Sequence, residues 1–380
     1  MFTIFKTFFW LGWISFGGPA AHIGYFRNTF VDKLKWIEDK EYAQLVALSQ
    51  FLPGPGSSQV GFAVGYQRGG LLGACSAFIG FTLPSLIIMV LLAMVSSQLT
   101  EMPLFQHIVH GLKLLAVVVV ADATWGMYKN FCSHRIAVAL CVATAVMLLI
   151  APSISTQIGV LIVAALIGAR WLPSQDLLPT KSFSPSVLPL ILFVGLLFGL
   201  PLVAHFMPEL ALFNHFYQAG SLVFGGGHVV LPLLQNLVGD QLSSDVFLTG
   251  YAAAQAVPGP MFTFATYIGY ELLPQSPILG AILATLAVFL PGFLLLLGVL
   301  KNWQALANQP KIAGTINGVN AAVVGLLAAA LYQPVFSSAV SANADIALIL
   351  IGFYLLRQLK LPIIWMVIFF MLGGIAIELI

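Results

Sequence analysis

The stretch QFLPGPG at residues 50–56 places two prolines around one glycine in the middle of an apolar segment. Proline removes a backbone donor and clashes with the preceding helical turn, whereas glycine permits left-handed conformations. We expect this stretch to end one helix and begin another, since proline is favoured at the first helical position. The stretch QAVPGP at residues 255–260 repeats the pattern 205 residues later, which indicates an internal repeat.

Charged residues are scarce along the whole chain. Only 15 Lys and Arg and 13 Asp and Glu occur among 380 residues, and 60% of the residues are hydrophobic. A soluble domain has about 25% charged residues and cannot cover its surface with so few. The composition excludes a soluble enzyme, a nucleic-acid-binding protein and a disordered scaffold. It predicts an all-α polytopic membrane protein embedded in the lipid bilayer.

Thirteen hydrophobic segments approach the length of about 20 residues that spans a bilayer core. They run over residues 3–26, 42–67, 70–96, 108–128, 136–150, 156–172, 187–206, 211–234, 247–270, 277–300, 312–333, 345–357 and 361–380. The stretch of mixed charge at residues 27–41 predicts an interfacial helix. We divide the chain into an N-terminal repeat, a linker with one joining transmembrane helix and a C-terminal repeat, at residues 1–172, 173–210 and 211–380.

The distribution of positive charge predicts that the second half is inverted relative to the first. Loop 27–41 holds four Lys and Arg, and its counterpart 235–246 holds none; loops 97–107 and 301–311 differ in the opposite sense. If the first two segments of each half are re-entrant hairpins, every loop obeys the positive-inside rule, and we favour this version over full crossings. Inverted repeats are a transporter architecture, with duplication retained for packing as the alternative.

Four breaks interrupt the apolar segments at matched positions of the two halves, at residues 17–19, 53–56, 225–227 and 258–260. Unwound backbone at membrane depth survives only where it is buried in protein or lines a cavity. We expect the breaks to converge near the midplane, where half-helix N-termini offer free N–H groups and partial positive charge to an anion. The alternative is that the breaks are kinks that permit tight helix packing.

The chain resembles the chromate ion transporter family of the full-length, two-domain type. The resemblance is carried by FGGPAAHIGYF at residues 16–26, FGGGH at residues 224–228 and the two Pro-Gly-Pro elements. It implies a secondary transporter that exports chromate, and also sulfate, across the bacterial cytoplasmic (inner) membrane by alternating access. Antiparallel halves are expected in that family.

The breaks and the resemblance together define the candidate substrate-binding residues. In the first half these are Gly17, Gly18, Pro19, His22, Gln50, Pro53, Gly54, Pro55, Gly56 and Ser57. In the second half they are Gly225, Gly226, Gly227, His228, Gln255, Pro258, Gly259 and Pro260. A histidine can donate to an oxyanion and its charge responds near neutral pH, although a satisfied structural histidine is the alternative for both positions.

Ionisable residues inside the segments are further candidates, because such residues are costly in a bilayer. Lys113 either completes the anion site or extends to the interface from near a helix end. Asp122 lies nine residues further on the opposite helix face, so the two are not partners. It is a candidate for proton coupling, or a buried carboxylate bonded to a neighbouring helix. Arg68 and Glu271 end matching segments and are the other coupling candidates, with a cytoplasmic anchor as the alternative for Arg68.

The sequence thus predicts a transporter rather than an enzyme, with no catalytic residue, metal or cofactor. No Walker loop is present, so ATP is not the direct energy source within this chain. A carrier of sulfate or another small anion and a passive anion channel are the alternatives. The expected partners are a small oxyanion and the bilayer, with no nucleic acid, and a homodimer is left open.

Overall fold

The computed structural model describes residues 1–16, 18–99, 102–172, 185–223, 230–238, 241–301 and 310–377. These residues are predominantly helical and contain no β-strand, as the composition predicts. Five helical stretches within them are long and apolar enough to cross a membrane, namely Gly56–Ser96, Pro103–Phe131, Val187–Phe206, Pro277–Val299 and Pro310–Ala339. The chain is therefore an all-α polytopic membrane protein.

The first half contains seven helices, and an eighth joins the halves. They are α1 Phe2–Ile14, α2 Gly18–Phe26, α3 Asp39–Phe51, α4 Gly56–Leu99, α5 Pro103–Phe131, α6 Arg135–Ile150, α7 Ile154–Trp171 and the joining helix α8 Val187–Val203. The interfacial helix predicted at residues 27–41 is shorter than expected. Its helical part is a π-helical turn, Arg27–Lys33. The predicted breaks are present, since α1 ends before residues 17–19 and α3 ends before residues 53–56.

The second half follows the same order in the described residues. Its helices are α9 Pro208–Leu222, α10 Val230–Val238, α11 Ser244–Ala256, α12 Phe264–Leu272, α13 Pro277–Val299, α14 Pro310–Ala330, α15 Asn343–Arg357 and α16 Ile363–Ile377. The break at residues 258–260 separates α11 from a short 3₁₀ turn, Met261–Thr263, which leads into α12.

Helix α4 is a hairpin of two arms rather than one rod. Gly69 and Gly70 have non-helical backbone angles, and Gly70 has φ of 60°. A methyl group on Gly65 would lie 2.6 Å from the carbonyl oxygen of Gly73, so the two arms pack backbone against backbone. The first arm is the end of the predicted segment at residues 42–67, whose beginning is α3, and the second arm is the predicted segment at residues 70–96. The reversal falls between the two segments.

The first two broken segments return to the side from which they start. The guanidinium of Arg68 lies 5.6 Å from the ring centroid of Trp36, and a methyl group on Gly69 would lie 2.6 Å from Met1 Cε. The start of α1, the loop after α2 and the reversal of α4 therefore meet at one end of the molecule. A methyl group on Gly12, near the end of α1, would instead meet Pro84, deep in the second arm of α4. Helix α1 thus runs from this end toward Pro84, and α2 leads back toward the same end.

The same end of the molecule carries the positive charge, and we call it the basic face. The second arm of α4 crosses to the opposite, outer face, and α5 returns. At the end of α5, Lys129 Nζ lies 5.3 Å from the ring centroid of Trp125, and the Arg357 guanidinium lies 5.9 Å from it. The ends of α5 and α15 therefore lie together. Because the second arm of α4 leads away from the basic face and α5 leads back, we assign these ends to the basic face. The positive-inside rule assigns this face to the cytoplasm.

Equivalent positions of the two halves make equivalent contacts. Gly65 packs on Gly73 in the first half, and Gly269 packs on Gly280 in the second, in both cases with the position of a Cβ atom blocked by a backbone carbonyl. The offsets between the equivalent residues are 204 and 207. Each glycine pair lets two helices approach at backbone distance, which is the usual role of small residues between membrane helices.

The two halves also exchange helices. In α5, Gly111 packs against Gly374 of α16, and in α14, Gly318 packs against Gly168 of α7. Helix α5 of the first half therefore packs on the last helix of the second half, and helix α14 of the second half packs on the last helix of the first. The halves are intertwined rather than side by side.

Candidate anion site at the crossing of the broken helices

Two backbone hydrogen bonds join the breaks of one half to the breaks of the other. The N–H of Gly54 donates to the carbonyl of Val223 at 2.7 Å, and the N–H of Gly259 donates to the carbonyl of Ser15 at 2.9 Å. Ser15 follows α1 and Val223 follows α9, so each Pro-Gly-Pro turn bonds to the first break of the opposite half. We call the region around these four residues the helix crossing.

Both turns require glycine for two separate reasons. Gly54 has φ of 116° and Gly259 has φ of 103°, a region that side chains disfavour. A methyl group on Gly54 would also lie 2.9 Å from Gly292 Cα, and one on Gly259 would lie 2.9 Å from Ser85 Oγ. The turn at Gly54 therefore lies against the backbone of α13, and the turn at Gly259 lies against the Ser85 side chain in the second arm of α4.

The N-terminus of α4 lies at the crossing and carries three buried polar residues. The helix starts at Gly56, so the N–H groups of its first turn have no acceptor within the helix. Ser57, Ser58 and Gln59 follow at once and are all buried. Gln59 Nε2 donates to the carbonyls of Pro53 at 2.9 Å and Gly292 at 3.0 Å, which ties the first half to the second.

His22 is the one titratable side chain that the structure brings to the crossing within the described residues. Its Nε2 lies 3.1 Å from the carbonyl oxygen of Ser15, and its Nδ1 lies 3.2 Å from Ser57 Oγ. The ring packs edge-on against Phe81, with centroids 5.3 Å apart, and is 1% exposed. The histidine thus links the first break to the N-terminus of α4.

Several polar groups around the crossing have no hydrogen-bond partner among the described residues. They are Ser15 Oγ, Ser58 Oγ, Gln59 Oε1 and Thr82 Oγ1, and each is buried. Buried polar groups are normally satisfied, so a cluster of unpaired ones indicates a place where a polar ligand or water binds. Sequence reasoning placed none of these four among the site residues. Single serines and threonines in apolar helices are too common to mark a site, although Ser58 and Gln59 directly follow the Pro-Gly-Pro-Gly element.

Among the described residues, the two sides of the crossing differ in polarity. At the offset of 205 residues, Ser57, Ser58 and Gln59 correspond to Phe262, Thr263 and Phe264, which are buried. The Thr263 hydroxyl is already bonded to the carbonyl of Pro260 at 2.8 Å. The unpaired polar groups therefore come from the first half, although the backbone arrangement is shared by both.

Most predicted site residues of the first half lie at the crossing or beside it. Gly18 starts α2 with φ of 77°, and no atom lies within 4 Å of where its Cβ would be. Gly54, Pro55 and Ser57 are buried there, whereas Gln50 is exposed on α3 and does not face the crossing. In the second half Gln255 donates to Met261 Sδ at 3.0 Å. The predicted residues outside the described part of the chain are Gly17, Gly225, Gly226, Gly227 and His228.

The predicted ionisable candidates lie elsewhere. Lys113 binds Asp245 at 2.8 Å, at the start of α11, whereas the Pro-Gly-Pro turn follows the end of that helix about 16 Å away. Asp122 forms an ion pair with Arg357 of α15. Lys113 and Asp122 therefore have different partners, as their opposite helix faces predict.

Arg68 and Glu271 also lie away from the crossing. Arg68 stacks on Trp36 at the basic face, and Glu271 lies at the end of α12, near the reversal into α13. The described residues of the crossing contain no Lys, Arg, Asp or Glu, and no described group of three or more His, Cys, Asp or Glu lies close enough to hold a metal ion. Recognition of an anion at the crossing would depend on dipoles and hydroxyls.

Two cavities open away from the crossing. One of about 340 Å³ lies at the outer side and is lined in part by Gln235, Ser244 and Gln333. Another of about 750 Å³ lies at the basic face and is lined in part by His134 and Arg135. Neither is lined by a residue of the crossing, whose polar side chains are at most 5% exposed.

The family of the chain follows from comparison with known proteins. The model of the chromate transporter family matches twice, at residues 2–169 and 210–376. An uncharacterized transporter of Methanocaldococcus jannaschii is 29% identical over 86% of this chain and 82% of its own. A probable chromate transport protein of Synechococcus elongatus is 28% identical over 86% and 82%, and a chromate transport protein of Pseudomonas aeruginosa is 28% identical over 86% and 79%. No solved structure matches. The chain belongs to the chromate transporter family, a family of membrane transport proteins rather than enzymes.

Proposed function

We propose that this protein is a secondary transporter that exports chromate from the cytoplasm by alternating access. Membership of the chromate transporter family supports the substrate. The observation that carries the site is the pair of reciprocal hydrogen bonds from Gly54 to Val223 and from Gly259 to Ser15. These bonds join the broken segments of both halves where a carrier needs its substrate site, at the interface of its repeats.

The anion is held at the N-terminus of α4. Free N–H groups of a first helical turn and the helix dipole favour an anion there. The hydroxyls of Ser15, Ser58 and Thr82 have no described partner and can each donate to a chromate oxygen. Sulfate has the same charge and tetrahedral shape, so we propose that it binds at the same place.

The two halves act as inverted repeats that move against each other. The matched glycine contacts and the exchange of α5 and α14 between halves support this relation. The polar side chains of the crossing are buried, so one half tilts to open the site toward the cytoplasm, and the opposite tilt opens it outward. The inside-negative potential of the bacterial cytoplasmic membrane favours the outward movement of an anion, by about 2.3 kcal/mol per charge per 100 mV.

Flux measurement in proteoliposomes tests the proposal. Purified protein is reconstituted with chromate inside, a potassium gradient with valinomycin sets the potential, and chromate outside is measured with time. We expect saturable efflux. In Ser58→Ala, which removes one donor at the α4 N-terminus, the chromate KM should rise by about tenfold, since a hydrogen bond to a charged group contributes about 1.5–3 kcal/mol.

The matched control is Ser76→Ala in the second arm of α4, whose hydroxyl is bonded to the carbonyl of Leu72. Its flux should equal that of the unmodified protein. Unsaturable flux that grows in proportion to chromate would indicate a channel and overturn alternating access. Sulfate flux without chromate flux would overturn the substrate and leave the site standing.

A further inference from the structure

We propose that His22 and Ser57 form a proton-operated switch, through which each anion bound at the crossing is carried together with one proton. The inference rests on the proposed function, since it concerns the same anion site. It names the coupling ion, which the family relation leaves open. It follows from the direction of the two hydrogen bonds that the His22 ring makes.

The direction of the first bond is fixed by its acceptor. A backbone carbonyl can only accept, so His22 Nε2, which lies 3.1 Å from the carbonyl oxygen of Ser15, must carry a hydrogen. In a neutral imidazole the other nitrogen, Nδ1, is then bare and accepts. Ser57 Oγ lies 3.2 Å from Nδ1 and therefore donates its hydroxyl hydrogen to the ring. In this state Ser57 offers only lone pairs to the N-terminus of α4.

Protonation of the ring reverses the second bond. A proton that binds Nδ1 makes this nitrogen a donor to Ser57 Oγ, and the hydroxyl hydrogen of Ser57 is released from the ring. The hydroxyl then rotates toward the first turn of α4, where Ser58 Oγ also has no described partner. One proton thus adds a hydrogen-bond donor and a positive charge to the anion site, and no covalent bond other than N–H is made or broken.

No charged side chain of the described residues contacts the His22 ring. The described polar contacts of the ring are Ser15 and Ser57, with Phe81 against its edge. The titratable and charged groups of α2 and the elements around it are Tyr25 of α2, Lys6 of α1, Arg27, Asp32 and Lys33 of the π-helical turn, Asp39, Lys40, Glu41 and Tyr42 of α3, and Tyr66, Arg68 and Cys75 of α4. Tyr66 is half-buried two residues before Arg68, toward the basic face.

These groups are engaged or exposed away from the ring. Arg27 binds Asp32 at 3.2 Å and Asp39 at 2.8 Å, both at the basic face. The Tyr42 hydroxyl donates to the carbonyl of Ile23 at 2.6 Å. No described carboxylate contacts the ring. The negative charge that stabilises a protonated His22 is therefore that of the bound dianion. By linkage, proton and anion then strengthen each other's binding by the same factor.

The coupling changes the charge that moves in each cycle. A dianion carried with one proton transfers one net negative charge, and a dianion carried alone transfers two. The measurable quantity is the number of protons per chromate. Proteoliposomes containing a trapped pH-sensitive dye report proton movement, chromate absorbance reports anion movement, and valinomycin with potassium clamps the potential.

We expect one proton per chromate in the unmodified protein. His22→Gln can still donate to Ser15 and accept from Ser57, but it cannot bind a proton at neutral pH, so the ratio should fall toward zero. The matched control is His134→Gln, at the N-cap of α6 on the basic face, which should keep a ratio of one. A ratio of one in His22→Gln would mean that the substrate or another group carries the proton, and it would overturn the proposal. So would a ratio of zero in the unmodified protein.

A second measurement needs no variant. The chain has seven histidines, and ¹⁵N-histidine labelling reports the protonation state of each ring in a lipid nanodisc. We expect chromate to convert one histidine from the neutral Nε2–H form to the imidazolium. Chromate binding without conversion of any histidine would overturn the switch. An absence of both chromate binding and chromate flux would instead overturn the proposed function.

Discussion

The backbone N–H of Gly54 in the first half donates to the carbonyl of Val223 in the second half, at 2.7 Å. The bond connects a turn and a helix end that are 169 residues apart in the chain. It closes the break after α3 against the break after α9, so neither break can move without the other.

Gly259→Ala should weaken both folding and transport. Gly259 has φ of 103°, and a methyl group there would lie 2.9 Å from Ser85 Oγ. Backbone strain of this kind costs about 1–3 kcal/mol. We expect a lower unfolding temperature in detergent and a reduced chromate flux per inserted molecule. Gly159→Ala in α7 is the control, because no atom lies within 4 Å of its Cβ position. Equal stability of the two variants would show that the turn is not constrained.

Gly18→Leu should insert in the membrane and lose chromate transport. Gly18 lies beside the crossing with φ of 77°, and the space around its Cβ position is open. A leucine side chain would enter the space that we assign to the anion. Gly24→Leu, on the same helix and also with open space, is the control. The prediction fails if both variants transport chromate at the same rate in proteoliposomes that contain equal amounts of protein.

Gln59→Glu should abolish chromate binding. The amide nitrogen of Gln59 donates to the carbonyls of Pro53 and Gly292, and a carboxylate cannot donate to either. A negative charge beside the α4 N-terminus also repels the anion. The control is Gln67→Glu, near the end of the first arm of α4, where the side chain is exposed. Chromate affinity measured by isothermal titration should be lost in the first variant only; retained affinity would place the anion elsewhere.

Asp122 and Arg357 should contribute to helix association and not to proton coupling. Their ion pair joins α5 to α15, with the two side chains 39% and 31% exposed. A pair of this exposure contributes less than about 1 kcal/mol. A double-mutant cycle with Asp122→Asn and Arg357→Gln should give a coupling energy of that size in unfolding measurements. The number of protons per chromate should be unchanged in Asp122→Asn, and a lower number would restore Asp122 as a coupling residue.

Loop 27–41 should be accessible from the cytoplasm. The stacking of Arg68 on Trp36 places this loop at the basic face, and we assign the end of α15, where Arg357 stacks on Trp125, to the same face. In a variant with Cys75, Cys132 and Cys141 replaced by alanine, Lys33→Cys should react with an impermeant maleimide only in inside-out vesicles. Asn343→Cys, at the start of α15 on the outer face, should react only in right-side-out vesicles. Labelling of Lys33→Cys from outside would mean that the first two segments cross fully.

The sequence by itself determined the class of protein and the positions of the breaks. A 7% content of charged residues excludes a soluble fold, whatever the topology. The Pro-Gly-Pro turns end α3 and α11 because proline and glycine act within one helical turn. The opposite helix faces of Lys113 and Asp122 likewise follow from local geometry, and the two residues do have different partners.

Only the tertiary structure decided which break meets which. Nothing in the spacing of residues indicates that Gly54 bonds to Val223, because the contact depends on the fold of two halves. The same is true of α5 and α14, each of which packs on the last helix of the other half through glycines. Nothing in the sequence distinguishes these glycines from the others in apolar segments. The constant offset between the repeats identifies which positions of the two halves are equivalent. It does not indicate which residues of the two halves are in contact.

The tertiary structure also decided which polar residues remain unpaired. The sequence left two readings open for Lys113, as a ligand of the anion or as a lysine that extends to the interface. The fold supplies Asp245 as its partner. It leaves Ser15, Ser58, Gln59 and Thr82 buried with unpaired atoms, although each is an ordinary residue in an apolar helix. Hydrogen bonding depends on neighbours brought in from distant segments, and those neighbours are set by packing rather than by local sequence.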